Sequence, residues 1–421
     1  MTVRTGKAAV LALACMFVSS CVSTHLRSGS PAAPTSVPPI TTAGPTPGHW
    51  NAAWTRRLAP VQVTGGIRDL ALVGGALVTA SPQGLEALNA RTGATLWRSI
   101  TFDRSGVAAF AVSGQQVVVA TRGGRWLSIK APTGQVSWGS PSPPGALIPY
   151  SDELQALATS ATVPVVSSDD RTIRGVDSQT GRIRWGIGRQ QLYGCTPDAS
   201  RLTQPGSVET KRYVSKNWLA IPVTCGTRNA VVSVDAASGR AAWRHGTVTP
   251  DDSPLSSAGD RFVGINDDGY GIFEQGTAKD SHRLIAQSPS GQVRTVLDEA
   301  EAYDFWGPLS PLATAGGRMI IPFLRHGKHY FAVMGTSGAR ASIVNLSEKV
   351  RKATFDGIRA YGIQQDGSIK VAATDQASPT GVRPPLKAKA FWIAAGNGSL
   401  FIATSGDLSE RGQVTITSIG N

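Results

Sequence analysis

Short apolar runs broken by small polar turns recur along most of this chain, and they come in pairs. In the first copy the runs are 76–80 and 85–90 around Pro82-Gln83-Gly84, and in the second they are 117–121 and 126–131 around Gly123-Gly124. The third copy has 163–167 and 172–177 around Asp169-Asp170, and the fourth has 218–223 and 230–235 around a turn at 225–228. Runs of this length, β-branched and flanked by Gly or Asp, predict β-hairpins. The frame continues with 262–266 and 270–274 around Asp267-Asp268-Gly269, and with 319–324 and 330–334 around His326-Gly327. It closes with 358–364 and 368–373 around Asp366-Gly367.

After each pair comes a hydroxyl residue followed by glycine. Four copies then place a tryptophan four positions on: Thr92-Gly93 to Trp97, Thr133-Gly134 to Trp138, Thr180-Gly181 to Trp185 and Ser238-Gly239 to Trp243. In Ser290-Gly291, Ser337-Gly338 and Thr380-Gly381 the tryptophan's place holds Thr295, Ser342 and Pro385. The glycines are 41, 47, 58, 52, 47 and 43 residues apart, a period that means stacked units rather than one conventional core. Glycine permits a positive φ in the tight turn, so the segment ending in tryptophan is a further strand. Three linked strands and a preceding one make a four-stranded blade, and the blades make an all-β propeller. The tryptophans, Trp54, Trp97, Trp138, Trp185 and Trp243, are expected between neighbouring blades.

The last three runs, 390–394, 399–404 and 413–419, lack a fourth strand, and residues 49–58, carrying Trp54, can supply it. That predicts eight antiparallel blades with the ring closed by the N-terminal strand. Seven is the alternative if the stretch between Gly291 and Gly381 merges into one unit.

Ahead of the repeat, residues 1–20 read as an export signal: Arg4 and Lys7, then an apolar run too short to span a bilayer. Val18-Ser19-Ser20-Cys21 resembles a bacterial lipobox, with Cys21 as the lipid acceptor. Residues 21–48 are rich in Pro, Thr and Ser and predict a flexible tether, which leaves 49–421 for the propeller. Cys195 and Cys225 then remain as an even pair in an exported domain and predict a disulfide of roughly 3 kcal/mol in the chain-entropy model. There are 41 basic and 28 acidic residues, a net +13 that falls by two with the signal. Outside the cytoplasm this favours anionic neighbours such as lipid headgroups, cell-wall polymers or an acidic protein face. No compact basic run points to nucleic acid. Nothing in the repeat fixes an oligomeric state.

The unit 173–185, Ile-Arg-Gly-Val-Asp-Ser-Gln-Thr-Gly-Arg-Ile-Arg-Trp, resembles the pyrroloquinoline-quinone (PQQ)-type propeller repeat, as does 231–243. The strong likeness covers residues 66–246, with weaker copies beyond. The resemblance implies the fold, but not one function. Enzymatic members are implied to hold quinone and calcium in the central channel, often against adjacent cysteines. Cys195 and Cys225 are not adjacent, and no calcium cluster is recognisable. Cofactor-free members include the propeller lipoprotein of the outer-membrane β-barrel assembly machinery, which scaffolds partners through blade-connecting loops. The resemblance therefore implies a lipid-anchored, extracytoplasmic, non-catalytic protein-binding scaffold without PQQ or calcium. A glycan or small-ligand binding propeller is the alternative, and a PQQ-dependent dehydrogenase the third reading.

Other candidate chemistry is thin. His326 and His329 are three apart in a hairpin, which does not bring i and i+3 to one face, so no metal site is expected there. Asp267-Asp268-Gly269 lacks the alternating ligand series of a calcium loop and reads as a turn. Two irregularities stand out as candidate recognition surfaces: Tyr303, Phe305 and Trp306 beside Asp304, which equally suit covering a blade edge, and the connection 188–214 with Arg189, Tyr193 and Cys195.

Overall fold

The computed structural model describes residues 52–420 apart from 59–62, 65–66, 69, 82–83, 100–106, 122–124, 141–145, 148–161, 167–171, 199–201, 203–211, 216, 247–258, 279–280, 300–312, 316–317, 326–327, 336–341, 346–349, 357–358, 374–380, 384–388, 397–398 and 406–413. Cys21 and the expected signal and tether lie outside these residues, as do Tyr303, Phe305, Trp306 and His326.

The apolar runs form strands that pair in chain order into four-stranded antiparallel sheets, the blades of a propeller. Among the described residues there are eight such sheets and one two-stranded ribbon, Val63–Thr64 with Ile67–Arg68. The first blade is Leu70–Val73, Ala76–Ser81, Gly84–Asn89 and Thr95–Ser99, and the second is Val107–Ser113, Gln116–Thr121, Trp126–Lys130 and Val136–Ser140. The third runs from Ala146–Leu147 through Thr162–Val166 and Ile173–Asp177 to Ile183–Ile187. The fourth is Thr196–Pro197, Trp218–Cys225, Arg228–Asp235 and Ala241–Gly246. The stretch from Gly291 to Gly381 contributes to separate sheets, one from Ala313–Ala315 to Ser342–Asn345 and the next from Val350–Phe355 to Gly381–Arg383.

In the last sheet, Lys389–Gly396, Ser399–Ser405 and Val414–Gly420 are joined by Ala52–Leu58, which pairs from Ala52 opposite Ile419 to Leu58 opposite Val414. One apolar cluster then spans both sides of this closure. It joins Leu58, Trp392, Phe401, Val414 and Ile416 to Leu70, Leu72, Leu77 and Leu88 of the first blade. Burying so many large side chains where the two chain ends meet is what makes the closure favourable.

The hydroxyl-glycine turns have a uniform construction. The residue four before the glycine accepts its N–H: Asn89, Lys130, Asp177 and Asp235 receive Gly93, Gly134, Gly181 and Gly239 at 2.8 Å each. Where that residue is Asn or Asp, its Oδ1 also accepts two further backbone N–H groups, those of Arg91 and Thr92, of Gln179 and Thr180, and of Ala237 and Ser238. The hydroxyl accepts the N–H two residues on, as Thr92 does from Ala94 at 3.3 Å. The four glycines have φ between 70° and 73°, the left-handed region that other residues rarely adopt.

Each turn is then covered by the tryptophan of the preceding blade. Trp54 lies against Gly93, Trp97 against Gly134, Trp138 against Gly181 and Trp185 against Gly239, where an added Cβ would stand 2.7 or 2.8 Å from the nearest ring atom. The indole Nε1 groups donate to the carbonyls of Ala90, Ala131, Ser178 and Ala236, three residues before each glycine, at 3.1, 2.6, 2.9 and 2.9 Å. Across the strand pair each ring faces a small residue. Trp54 is opposite Ser418, Trp97 opposite Ala87, Trp138 opposite Ser128 and Trp185 opposite Gly175. In the first to fourth blades a β-bulge falls just before the tryptophan and re-aims it.

The fifth blade departs from the expected frame. The runs around Asp267-Asp268-Gly269 are its first two strands, Arg261–Ile265 and Gly271–Ala278, and not the second and third as in the other copies. Its third strand, Ser281–Gln287, follows a connection with no glycine or proline between Ala278 and Ser281, which hides it from a reading based on turn residues. The bulge in its last strand precedes Leu297 rather than Thr295, so the buried Leu297 takes the tryptophan's structural place.

Candidate functional site

Where the third blade hands over to the fourth, the connecting loop is held rigidly. Gly188 N–H donates to Gln191 Oε1 at 3.0 Å, and Arg189 Nε donates to the Gly194 carbonyl at 2.6 Å. The Arg189 carbonyl accepts the N–H groups of Leu192 and Gly194, and Leu192 and Cys195 are buried. Cys195 is bonded to Cys225, with Cα atoms 4.4 Å apart. Cys225 sits in the turn between Trp218–Cys225 and Arg228–Asp235, so the disulfide ties the loop to the hairpin tip of the fourth blade.

This construction presents Tyr193. Among the described residues it is the one non-glycine with positive φ, 57°, and half of its surface is exposed. Such a conformation costs a bulky residue of order 1 kcal/mol and persists only where its surroundings over-determine it. The Arg244 guanidinium, on the last strand of the fourth blade, lies 5.7 Å from the Tyr193 ring centroid, a cation–π contact that steadies the ring. The result is an exposed, pre-set aromatic, the type of side chain that anchors protein interfaces.

Next to Arg244 in sequence, His245 starts a polar bridge that joins the fourth and fifth blades. His245 Nδ1 meets Gln287 Oε1 and its Nε2 meets Asp260 Oδ2, both at 2.7 Å, while its ring stacks on Phe273 at 3.7 Å. Gln287 Nε2 donates to the Arg244 carbonyl at 3.3 Å, and Gln275 Nε2 donates to Asp260 Oδ1 at 3.0 Å. Deeper in the fifth blade, Arg261 forms a buried ion pair with Glu274. Sequence reasoning missed this bridge, since its members are dispersed over more than forty residues and share no spacing rule. It also missed Arg244, which becomes Tyr193's neighbour only through the blade packing.

The remaining sequence candidates are structural in these surroundings. Asp267, Asp268 and Gly269 form a turn in which Asn266 Oδ1 accepts the N–H groups of Asp268 and Tyr270. His329 stands on the strand Lys328–Met334 opposite Leu324. Among the described residues no group of three or more His, Cys, Asp or Glu is placed to hold a metal ion. The two cysteines are bonded to each other across a loop and a hairpin, not side by side in a channel. Asp177, in the outer turn of the third blade, is the clearest perturbed carboxylate. Burial raises its pKa, but the N–H groups of Thr180 and Gln179 and the Arg184 side chain outweigh that and hold it below the ordinary value.

Tryptophans over glycine turns thus lock the four-stranded blades of this propeller at four junctions. Residues 81–262 match the family model described as outer membrane protein assembly factor BamB, so this part of the chain is similar to that family. No curated protein matches the sequence. Among solved structures, BamB from Moraxella catarrhalis is 15% identical, covering 87% of this chain and 99% of that one, with a TM-score of 0.42. Quinohemoprotein alcohol dehydrogenase from Comamonas testosteroni is 12% identical over 88% of this chain and 76% of its own, at 0.46. Saccharomyces cerevisiae Sqt1 is 12% identical over 88% and 100%, also at 0.46. Likenesses of this strength do not discriminate between a scaffold and an enzyme.

Proposed function

We propose that this chain is an exported, lipid-anchored propeller of eight blades that binds another protein of the cell envelope and carries out no reaction. In this reading residues 1–20 are the export signal, Cys21 receives the lipid, residues 21–48 are the tether and 49–421 form the ring. The observation that carries the reading is Tyr193, held exposed in left-handed backbone by a disulfide-tied loop and backed by Arg244. A rigid aromatic on a loop loses little side-chain entropy on docking, which suits partner recognition better than chemistry. The net +13 favours an acidic protein face, with an anionic cell-wall polymer as the other envelope partner. Nucleic acid has no part in it. Neither PQQ nor calcium is proposed: Cys195 and Cys225 are separated by 30 residues in sequence rather than adjacent, and no calcium cluster is recognisable in the sequence.

Chemical crosslinking in membranes, with mass-spectrometric identification, tests the reading. A reproducible protein adduct is expected, and recovery of glycan alone contradicts it. Cys21→Ser releases the protein from the membrane if the anchor is as proposed; a variant that stays bound contradicts that. Titration with PQQ in the presence of calcium is expected to give no saturable binding.

A further inference from the structure

The interlock repeated at four junctions is broken at the next one. Trp243 turns inward, donating from Nε1 to the Gly269 carbonyl at 2.8 Å and packing against Gly271. The outer turn of the fifth blade is a residue shorter than its counterparts. Ser288 N–H donates to the Gln292 carbonyl, whereas Asn89 N–H donates to the Ala94 carbonyl. The carbonyl three before the glycine, which receives the indole elsewhere, here accepts the N–H of Gly291 itself at 2.8 Å. Among the described residues no indole covers this turn, and an added Cβ at Gly291 would meet nothing within 4 Å.

What remains between the two outer turns is a groove of about 430 Å³, in the range of ligand clefts. Its lining includes Trp218 and Pro289, the small Ala241 and Ala242, and the charged Asp235 and Arg240. Trp218 is partly exposed and lies over Gly269. The Asp235 carboxylate is already engaged, accepting from Ala237 N–H, Ser238 N–H and Ser238 Oγ. Arg240 is exposed, and its guanidinium has no hydrogen bond or ion pair among the described residues. The groove thus offers an aromatic side chain, small lining residues and a cation with no side-chain partner among the described residues. It lies at the Trp218 and Asp235 end of the fourth blade, opposite the Cys225 and Arg228 end to which the Tyr193 loop is tied.

We propose that this groove receives an aromatic side chain neighboured by a carboxylate, carried on an extended segment of a partner protein; the inference rests on the scaffold reading. The aromatic group takes the place that an indole fills at the four regular junctions and packs against Trp218. The carboxylate pairs with Arg240, a charge-assisted contact.

The test uses the full chain labelled with 5-fluorotryptophan, the Trp218 resonance assigned through Trp218→Phe, and acetyl-Asp-Trp-amide as the probe. A saturable shift of the Trp218 resonance is expected. Arg240→Ala, or acetyl-Asn-Trp-amide in place of the probe, weakens binding about fivefold or more. Ala242→Trp fills the groove and abolishes the shift while the other tryptophan resonances stay in place. No saturable shift overturns the proposal, as does binding indifferent to both Arg240→Ala and the Asn dipeptide. A membrane crosslink to a protein partner retained in full by Arg240→Ala and Ala242→Trp overturns the groove and leaves the scaffold standing. Absence of any protein adduct in the unmodified chain overturns both.

Discussion

The indole of Trp54 lies across Gly93, donating from Nε1 to the Ala90 carbonyl at 3.1 Å. Trp54 belongs to the strand that completes the last sheet, and Gly93 to the outer turn of the first blade, so this one contact fastens the two ends of the repeat. Arg56 reinforces it, donating to the Gly93 carbonyl at 2.8 Å and pairing with Glu86 at 3.1 Å. Trp54→Ala is expected to destabilise the protein by roughly 3 kcal/mol, seen in denaturant unfolding, with the Ala52–Leu58 strand losing hydrogen-exchange protection first. Unchanged protection of that strand would contradict its role in closure.

Two glycines of the third blade separate packing from backbone effects. A Cβ at Gly175 would stand 2.0 Å from Trp185 Cε2, whereas one at Gly186 would meet nothing within 4 Å. Gly175→Ala therefore displaces the buried indole and costs about 2 kcal/mol or more, while Gly186→Ala stays within about 0.5 kcal/mol of the parent. Equal unfolding midpoints for the two variants would contradict the interlock.

Asp177 predicts an acid limb to stability. Its folded pKa lies below the ordinary 3.8, so the stabilisation it provides is present above that value and is lost as pH falls through the folded one. Asn89 caps the equivalent turn of the first blade, so Asp177→Asn keeps the cap and removes the charge facing Arg184. The variant is expected to be less stable than the parent at neutral pH and to approach it below about pH 3.8 in a titration of unfolding midpoints. A constant difference across that window would contradict this assignment.

Reducing the Cys195–Cys225 bond frees a loop with a sequence separation of 30. The double variant Cys195→Ser, Cys225→Ser should lose about 3–4 kcal/mol in the chain-entropy model. Faster proteolysis between Gly188 and Asp198, with the other blades protected, would locate the loss in the Tyr193 loop.

The repeat was legible because each of its residues acts both locally and across a junction. The hydroxyl and the Asx side chain cap the turn, the glycine supplies the positive φ and the close approach, and the tryptophan covers the next turn. A finer signal, the small residue facing each indole (Ala87, Ser128, Gly175, Ser233 and Ser418), went unread because strand register is needed to see it. The fifth blade was misframed because its Asn266-capped turn carries stronger turn residues than the Ala278–Ser281 connection. Tyr193 and the disulfide were visible as an irregularity, but the support from Arg244 and the uncapped Gly291 turn arise only from how neighbouring blades meet.

Placing a photoreactive p-benzoyl-phenylalanine at position 193 tests the central claim most directly. Irradiation of membranes from cells carrying this variant should give one reproducible protein adduct, identified by mass spectrometry and reduced when Cys195 and Cys225 are replaced by serine. The absence of any protein adduct at position 193, with the protein folded and membrane-bound, would contradict the account.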